Sequence, residues 1–171
     1  MAQSEEDEVK IVHAISEKHI AHARELFQEY FDWLSQTHGM DIGYQGTEAE
    51  LASLPGAYKP DQGRLLLAYD GESPVACGGL RPLAKDICEL KRMYVRPAYR
   101  GKGLGRQMAI ALIDEARAIG YRLVRVDTAA FMYAAQALYR SLGFQEIEPY
   151  YDAPPELAKM IVFMEMKLAE E

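Results

Sequence analysis

The chain is poor in the residues that build covalently or metal-held scaffolds. Of its 171 residues only two are cysteines, Cys77 and Cys88, and only four are histidines. Two cysteines cannot make a disulfide framework or a cysteine-built metal centre, and they read instead as small buried hydrophobes. His19, His22 and Glu25 share one helical face. A zinc site needs more ligands than these and none stands nearby in sequence, so the expectation is a solvated face and no metal. Cations are also in the minority, with 19 Lys+Arg against 26 Asp+Glu and a net charge of −7. That balance excludes the broad basic face of a nucleic-acid or anionic-membrane binder. No apolar run approaches the roughly 18 residues of a membrane span. Residues 1–8, Met-Ala-Gln-Ser-Glu-Glu-Asp-Glu, are acidic and lack the cationic segment of a secretory signal. The expected setting is the reducing cytoplasm.

What remains is an ordinary globular composition, 49% hydrophobic and 26% charged, sufficient for one domain with its own core. The reading is a single domain over residues 1–171, of which 1–8 form an acidic, flexible N-terminus. Periodicity supplies the elements. Residues 9–14 alternate as a first strand, and Ile20, Ala23, Leu26, Phe27, Tyr30, Phe31 and Leu34 recur at helical spacing. Thr47 is a plausible N-cap for a short helix that stops at Pro55-Gly56. Runs 64–69 and 74–80 flank Asp70-Gly71, a hairpin signal. Residues 87–95 form a longer strand, Leu104 to Ile119 an amphipathic helix ending at Gly120, and 123–128 a further strand. A helix over 133–142, strands over 144–147 and 160–168, and a loop over 150–155 complete the chain. Helices interrupt the strands irregularly, which predicts a mixed α/β sheet of about six or seven strands and about four helices.

The charge is unevenly placed. From Arg81 to Arg106 eight cations face two acids, leaving +6 there and therefore −13 elsewhere. A confined cationic segment in an acidic chain suits a compact anionic ligand, or is simply a solvated face. The acidic remainder suggests attraction for a cationic acceptor. Within the cationic segment, Arg100-Gly101-Lys102-Gly103-Leu104-Gly105-Arg106 joins a strand to a helix. Helix N-termini carry unpartnered N–H groups and positive potential, and glycines let a phosphate approach the backbone. A P-loop would need Ser or Thr after Lys102, where Gly103 stands. A dinucleotide fingerprint would need glycine where Arg106 stands.

At these residues the chain resembles the GNAT superfamily of N-acetyltransferases. Arg100-Gly101-Lys102-Gly103-Leu104-Gly105 fits the family's Gln/Arg-x-x-Gly-x-Gly/Ala loop, and Leu138-Tyr139-Arg140-Ser141-Leu142-Gly143-Phe144 fits its Leu-Tyr-x-x-x-Gly-Phe element. The resemblance spans residues 8–168. It implies a mixed sheet with splayed central strands and flanking helices, with acetyl-CoA between those strands. Arg100, Gly101, Lys102, Gly103, Leu104, Gly105 and Arg106 would hold the pyrophosphate, and the main chain of Met93, Tyr94 and Val95 would face the pantetheine and thioester. Met132 stands where many members carry a cofactor-contacting Asn.

Tyr139 is the candidate acid for the departing thiolate, since a phenol of pKa about 10 can supply a thiolate whose acid is near 8.5; its other reading is a core tyrosine anchoring a helix. Glu89, in the strand entering the loop, is the tentative general base or else the partner of Lys91, Arg92 or another cation. Lys91 and Arg92 read as charges satisfying that strand, with a phosphate or an acidic acceptor as the other reading. Residues 150–155 either wall the acceptor pocket or pack on the surface. The expected reaction is direct acetyl transfer from acetyl-CoA to a primary amine of a small molecule or peptide. Two rivals stand beside it: a non-catalytic acyl-CoA-binding or regulatory protein, and a nucleotide-binding enzyme using the same loop. The resemblance also admits a homodimer.

Overall fold

The computed structural model describes residues 8–168, so the acidic segment expected to be flexible lies, apart from Glu8, outside the described residues. The elements run β1 (Lys10–His13), α1 (Glu17–His38), α2 (Thr47–Ser53), β2 (Arg64–Asp70), β3 (Ser73–Ala84), β4 (Ile87–Val95) and α3 (Leu104–Ile119). There follow β5 (Leu123–Ala129), α4 (Tyr133–Leu142), β6 (Gln145–Ile147), α5 (Pro155–Ala158) and β7 (Ile161–Lys167). One seven-stranded sheet has the order β1-β2-β3-β4-β5-β7-β6. Its strands are antiparallel except where β4 meets β5.

Both faces of the sheet are covered, which is why β2 reads as an unbroken apolar run. Leu66 and Ala68 point into the core beneath α3 and α4, and Leu65, Leu67 and Tyr69 into the core beneath α1 and α2. Ser16 caps α1 by accepting the His19 N–H at 3.1 Å. Gly39, at φ 64°, ends α1 in the left-handed turn that glycine tolerates best.

The structure departs from the expected elements at a few points. Thr47 is the first residue of α2 rather than its cap; Gly46 at φ 78° holds that place, and its carbonyl accepts from Glu50. β3 continues through Pro82 to Ala84. It can do so because Leu80 is its last residue paired with β2, so Pro82 owes no donor on that side. The single-turn α5 and the 3₁₀ turns at Gly43–Gln45, Gly56–Tyr58 and Pro97–Tyr99 are too short to show a period. Among the described residues no helix is long and apolar enough to cross a membrane, and no group of three or more His, Cys, Asp or Glu is placed to hold a metal.

Candidate active site

The site begins with a break in the sheet. β4 and β5 pair from Ile87↔Leu123 to Leu90↔Val126, where the ladder stops although β4 runs on to Val95 and β5 to Ala129. On its other edge β4 stays with β3, but Lys91 to Tyr94 spans only Gly79 to Cys77, so β4 carries an extra residue. Arg92 takes up that bulge with a left-handed φ of 59°. A bulge bends and twists its strand, and here it carries the end of β4 away from β5. Gly78 and Gly79 make room for it. A Cβ on Gly78 would lie 2.5 Å from the Met93 sulfur, and one on Gly79 would lie 2.5 Å from the Tyr58 ring.

The wedge between the two strands opens into a cavity of about 510 Å³. Met93, Tyr94 and Val95 line one side, and Asp127, Thr128 and Ala129 the other. Arg100, Gly101, Gly103, Leu104 and Gly105 line its floor; Lys102 and Arg106 do not. Lys102 lies over the Tyr99 ring, and Arg106 donates to Ser141 Oγ on α4 at 2.8 Å. Gly101 and Gly103 hold φ of 77° and 82° with open space where a Cβ would stand. The first ladder bond of α3 is Gln107 N–H to the Gly103 carbonyl. The N–H groups of Leu104, Gly105 and Arg106 therefore precede the helical ladder at its positive end. Arg100 reaches back to the Val95 carbonyl at 2.8 Å, its guanidinium over the rings of Trp33 and Tyr94.

Tyr139 enters the cavity from α4, buried and set edge-on against Phe144. Burial pushes its phenol above the ordinary tyrosine range. Gln136, one turn earlier, was not singled out from sequence. Its buried amide donates to the Ala129 and Ala130 carbonyls at 3.1 and 3.0 Å and so closes the turn from β5 into α4. A polar residue on the buried side of an amphipathic helix was the available signal. Met132 lines the cavity and accepts a long contact from Thr128 Oγ1 at 3.6 Å.

Glu89 is buried but does not line the cavity. Arg81 donates to it at 2.9 and 3.0 Å, and Tyr150 Oη at 2.5 Å. Lys91 and Arg92 do line the cavity, as does Asp127. Lys91 bonds both oxygens of Asp127, at 3.0 and 3.1 Å, and Tyr151 Oη donates to the same carboxylate. Burial alone would raise the Asp127 pKa, but Lys91, Tyr151 and Arg92 together hold it below the ordinary carboxylate value. Of the loop 150–155, Tyr151 lines the cavity and Tyr150 holds Glu89. His22 bonds Tyr69 Oη at 2.6 Å and His19 packs on the same ring, both half-buried, while the exposed Glu25 pairs with Arg96. Both cysteines are buried with thiol pKa values pushed up by burial, Cys88 to about 12, which leaves them inert as nucleophiles.

A mixed sheet opened between two parallel strands, with a glycine-rich helix N-terminus at the floor of the opening, is the architecture of an N-acetyltransferase. The chain belongs to the GNAT acetyltransferases: the model of the Acetyltransferase (GNAT) family matches residues 20–144. It is 34% identical over 147 residues, 85% of this chain and 86% of the relative, to an uncharacterised N-acetyltransferase of Schizosaccharomyces pombe. In fold it resembles a GNAT-family acetyltransferase of Staphylococcus aureus, with a TM-score of 0.75, 19% identity and coverage of 95% of this chain and all of that one. It also resembles the Salmonella typhimurium protein YncA, solved with its cofactor acetyl-CoA, with a TM-score of 0.72, 23% identity and 95% coverage of both chains. The protein is an acetyltransferase, and acetyl-CoA is the co-substrate of its family.

Proposed function

We propose that this protein moves an acetyl group from acetyl-CoA directly to a primary amine. The observation that carries the reading is the early end of the β4–β5 ladder at Leu90 and Val126, which brings the glycine loop and Tyr139 into one cavity. The residues suit the co-substrate. The open approach at Gly101 and Gly103 and the free N–H groups of Leu104–Arg106 fit a pyrophosphate, with Arg100 beside them. The splayed main chain of Met93–Val95 fits the pantetheine arm, and Lys102 and Arg106 contribute potential from outside the lining. Acetyl-CoA supplies an activated thioester to whatever amine lies beside it.

Within that cavity the chain's own groups have separate tasks. The unladdered main chain of β4 orients the acyl group, and preorganised amides stabilise developing negative charge on its oxygen. The amine attacks the thioester carbon as its free base and the C–S bond breaks. Tyr139, kept protonated by burial, delivers its proton to the departing sulfur, whose basicity rises in the same desolvated cavity. The proton lost by the acylated nitrogen passes to solvent, from which the phenolate is reprotonated. The partners of Glu89 support a positioning role: Arg81 and Tyr150 occupy its carboxylate, so it fixes loop 150–155 rather than taking the amine's proton. Binding without turnover would describe the non-catalytic rival. A titration of acetyl-CoA, followed by thiol release across a broad amine library, separates the cases. Binding with amine-dependent release is expected. Binding with no release from any amine would favour the regulatory reading, and tighter binding of ATP or NAD than of acetyl-CoA would displace both.

A further inference from the structure

The cavity's charge is opposite in sign to the protein's. Among the described residues its charged lining consists of Lys91, Arg92, Arg100 and Asp127, a balance of +2 inside a chain of net −7. Arg100 belongs to the glycine loop. The end of the cavity beneath α1 is thus lined by two cations, one carboxylate and an apolar wall that includes Trp33, Met40 and Phe131, and Glu50 pairs with Arg92 just outside that lining.

The cations sit there because of the bulge. Successive residues of a strand point to opposite faces, so Arg92 should lie across the sheet from Lys91. The extra residue at φ 59° puts both on the α1 face, where the Gln45 amide oxygen accepts from Lys91 Nζ at 3.3 Å and from Arg92 Nη1 at 3.0 Å. A non-glycine residue in this conformation is strained and is retained where surroundings over-determine it. Arg92 is buried, stacked on Phe31 and forked onto Glu50, which lies outside the cavity lining. Three of the five N–H donors of its guanidinium are used in these bonds to Glu50 and Gln45.

We propose that the acetyl acceptor carries a carboxylate as well as its amine, an amino acid with a large apolar side chain, and that the Lys91–Gln45–Arg92 cluster selects that carboxylate. The proposal rests on the acetyl-transfer reading and deepens it. A carboxylate would take up the guanidinium donors that Glu50 and Gln45 leave uncommitted, with Arg92 bridging it to Glu50, while the aromatic wall covers the apolar body. A polyamine has no such complement, since among the described residues Asp127 is the carboxylate lining the cavity and it is already held by Lys91 and Tyr151.

The test compares thiol release from acetyl-CoA with amines matched in body, phenylalanine against phenethylamine and leucine against isoamylamine. The wild type should favour the acids by roughly 10-fold or more in kcat/KM, as expected of charge-assisted contacts. Arg92→Gln should abolish that preference while acetyl-CoA affinity is unchanged. Gln45→Glu is the control against misfolding, because it places a permanent carboxylate between the two cations without removing either. It too should abolish the preference, with the melting temperature unchanged or raised. Equal or better turnover of the decarboxylated amines by the wild type overturns the proposal and leaves acetyl transfer standing. A preference that survives in a folded Gln45→Glu protein overturns the role of the cluster. Absence of thiol release from every amine overturns the proposal and the transferase reading together.

Discussion

Gly105 and Glu89 are two residues at which conformation and partners decide a role that residue type leaves open. Gly105 lies in the first turn of α3, and a Cβ there would meet Leu138 and Val95 only at 3.9 Å, an ordinary contact. Alanine is the better helix former by up to about 1 kcal/mol. Gly105→Ala should therefore hold or raise the melting temperature while weakening acetyl-CoA binding roughly 10-fold, because the methyl group would intrude where pyrophosphate is proposed to meet the backbone. Calorimetric titration beside thermal unfolding checks both halves; unchanged affinity would remove Gly105 from the binding surface. For Glu89 the expected outcome is negative. Glu89→Gln should leave the shape of the pH–rate profile unmoved while lowering stability by about 1–3 kcal/mol through a weakened buried contact with Arg81. A displaced limb in that profile would restore Glu89 to the role of base.

At the scale of elements, the site depends on how β3 meets β4. Gly79 lets the Tyr58 ring lie against the sheet opposite the bulge, and Tyr58 is among the largest fully buried side chains. Gly79→Ala should cost roughly 1–3 kcal/mol by overpacking, measured by denaturant unfolding, and should slow turnover as the bulge shifts; a silent substitution would show that the glycine is incidental. This junction was largely illegible in the sequence. Cys77-Gly78-Gly79-Leu80 reads as part of one strand, and Lys91-Arg92 as two ordinary charges, because a bulge has no periodic signature. The strands and helices themselves were legible. The bounds of β4, α3 and α4 coincide with the expected runs because Arg96-Pro97, Gly120 and Gly143 punctuate them. The glycine loop and Tyr139 were legible through the family resemblance, whereas the Lys91–Gln45–Arg92 cluster needed the fold to bring distant residues together.

Across the whole molecule, half of the eight cations in the cationic segment turn out to be ion-paired. Arg81 pairs with Glu89, Lys91 with Asp127, Arg92 with Glu50, and Arg96 with Glu25 and Glu29. Arg96 and Glu25 stand 71 residues apart in the chain, and Lys91 and Asp127 stand 36 apart, so summing charge along a segment could not reveal the pairing. The same pairing gives the fold an acid limit. Lys91, Tyr151 and Arg92 hold the Asp127 pKa below the ordinary aspartate value of about 3.9, so its contribution to stability is complete above that value and is lost as pH falls through its lower, folded pKa. Thermal unfolding between about pH 5 and pH 2 should show this loss in the wild type. It should be smaller in Lys91→Met/Asp127→Leu, which replaces the buried pair with apolar groups. Parallel acid profiles for the two proteins would contradict the assignment.

The central claim is that the cavity between β4 and β5 transfers acetyl groups with Tyr139 as the proton donor. Its most direct test is the rate of amine-dependent thiol release from saturating acetyl-CoA in the wild type and in Tyr139→Phe. Tyr139→Phe should lower kcat roughly 100-fold or more with acetyl-CoA affinity essentially unchanged, the range expected on removing a general acid. Equal rates in the two proteins would contradict it.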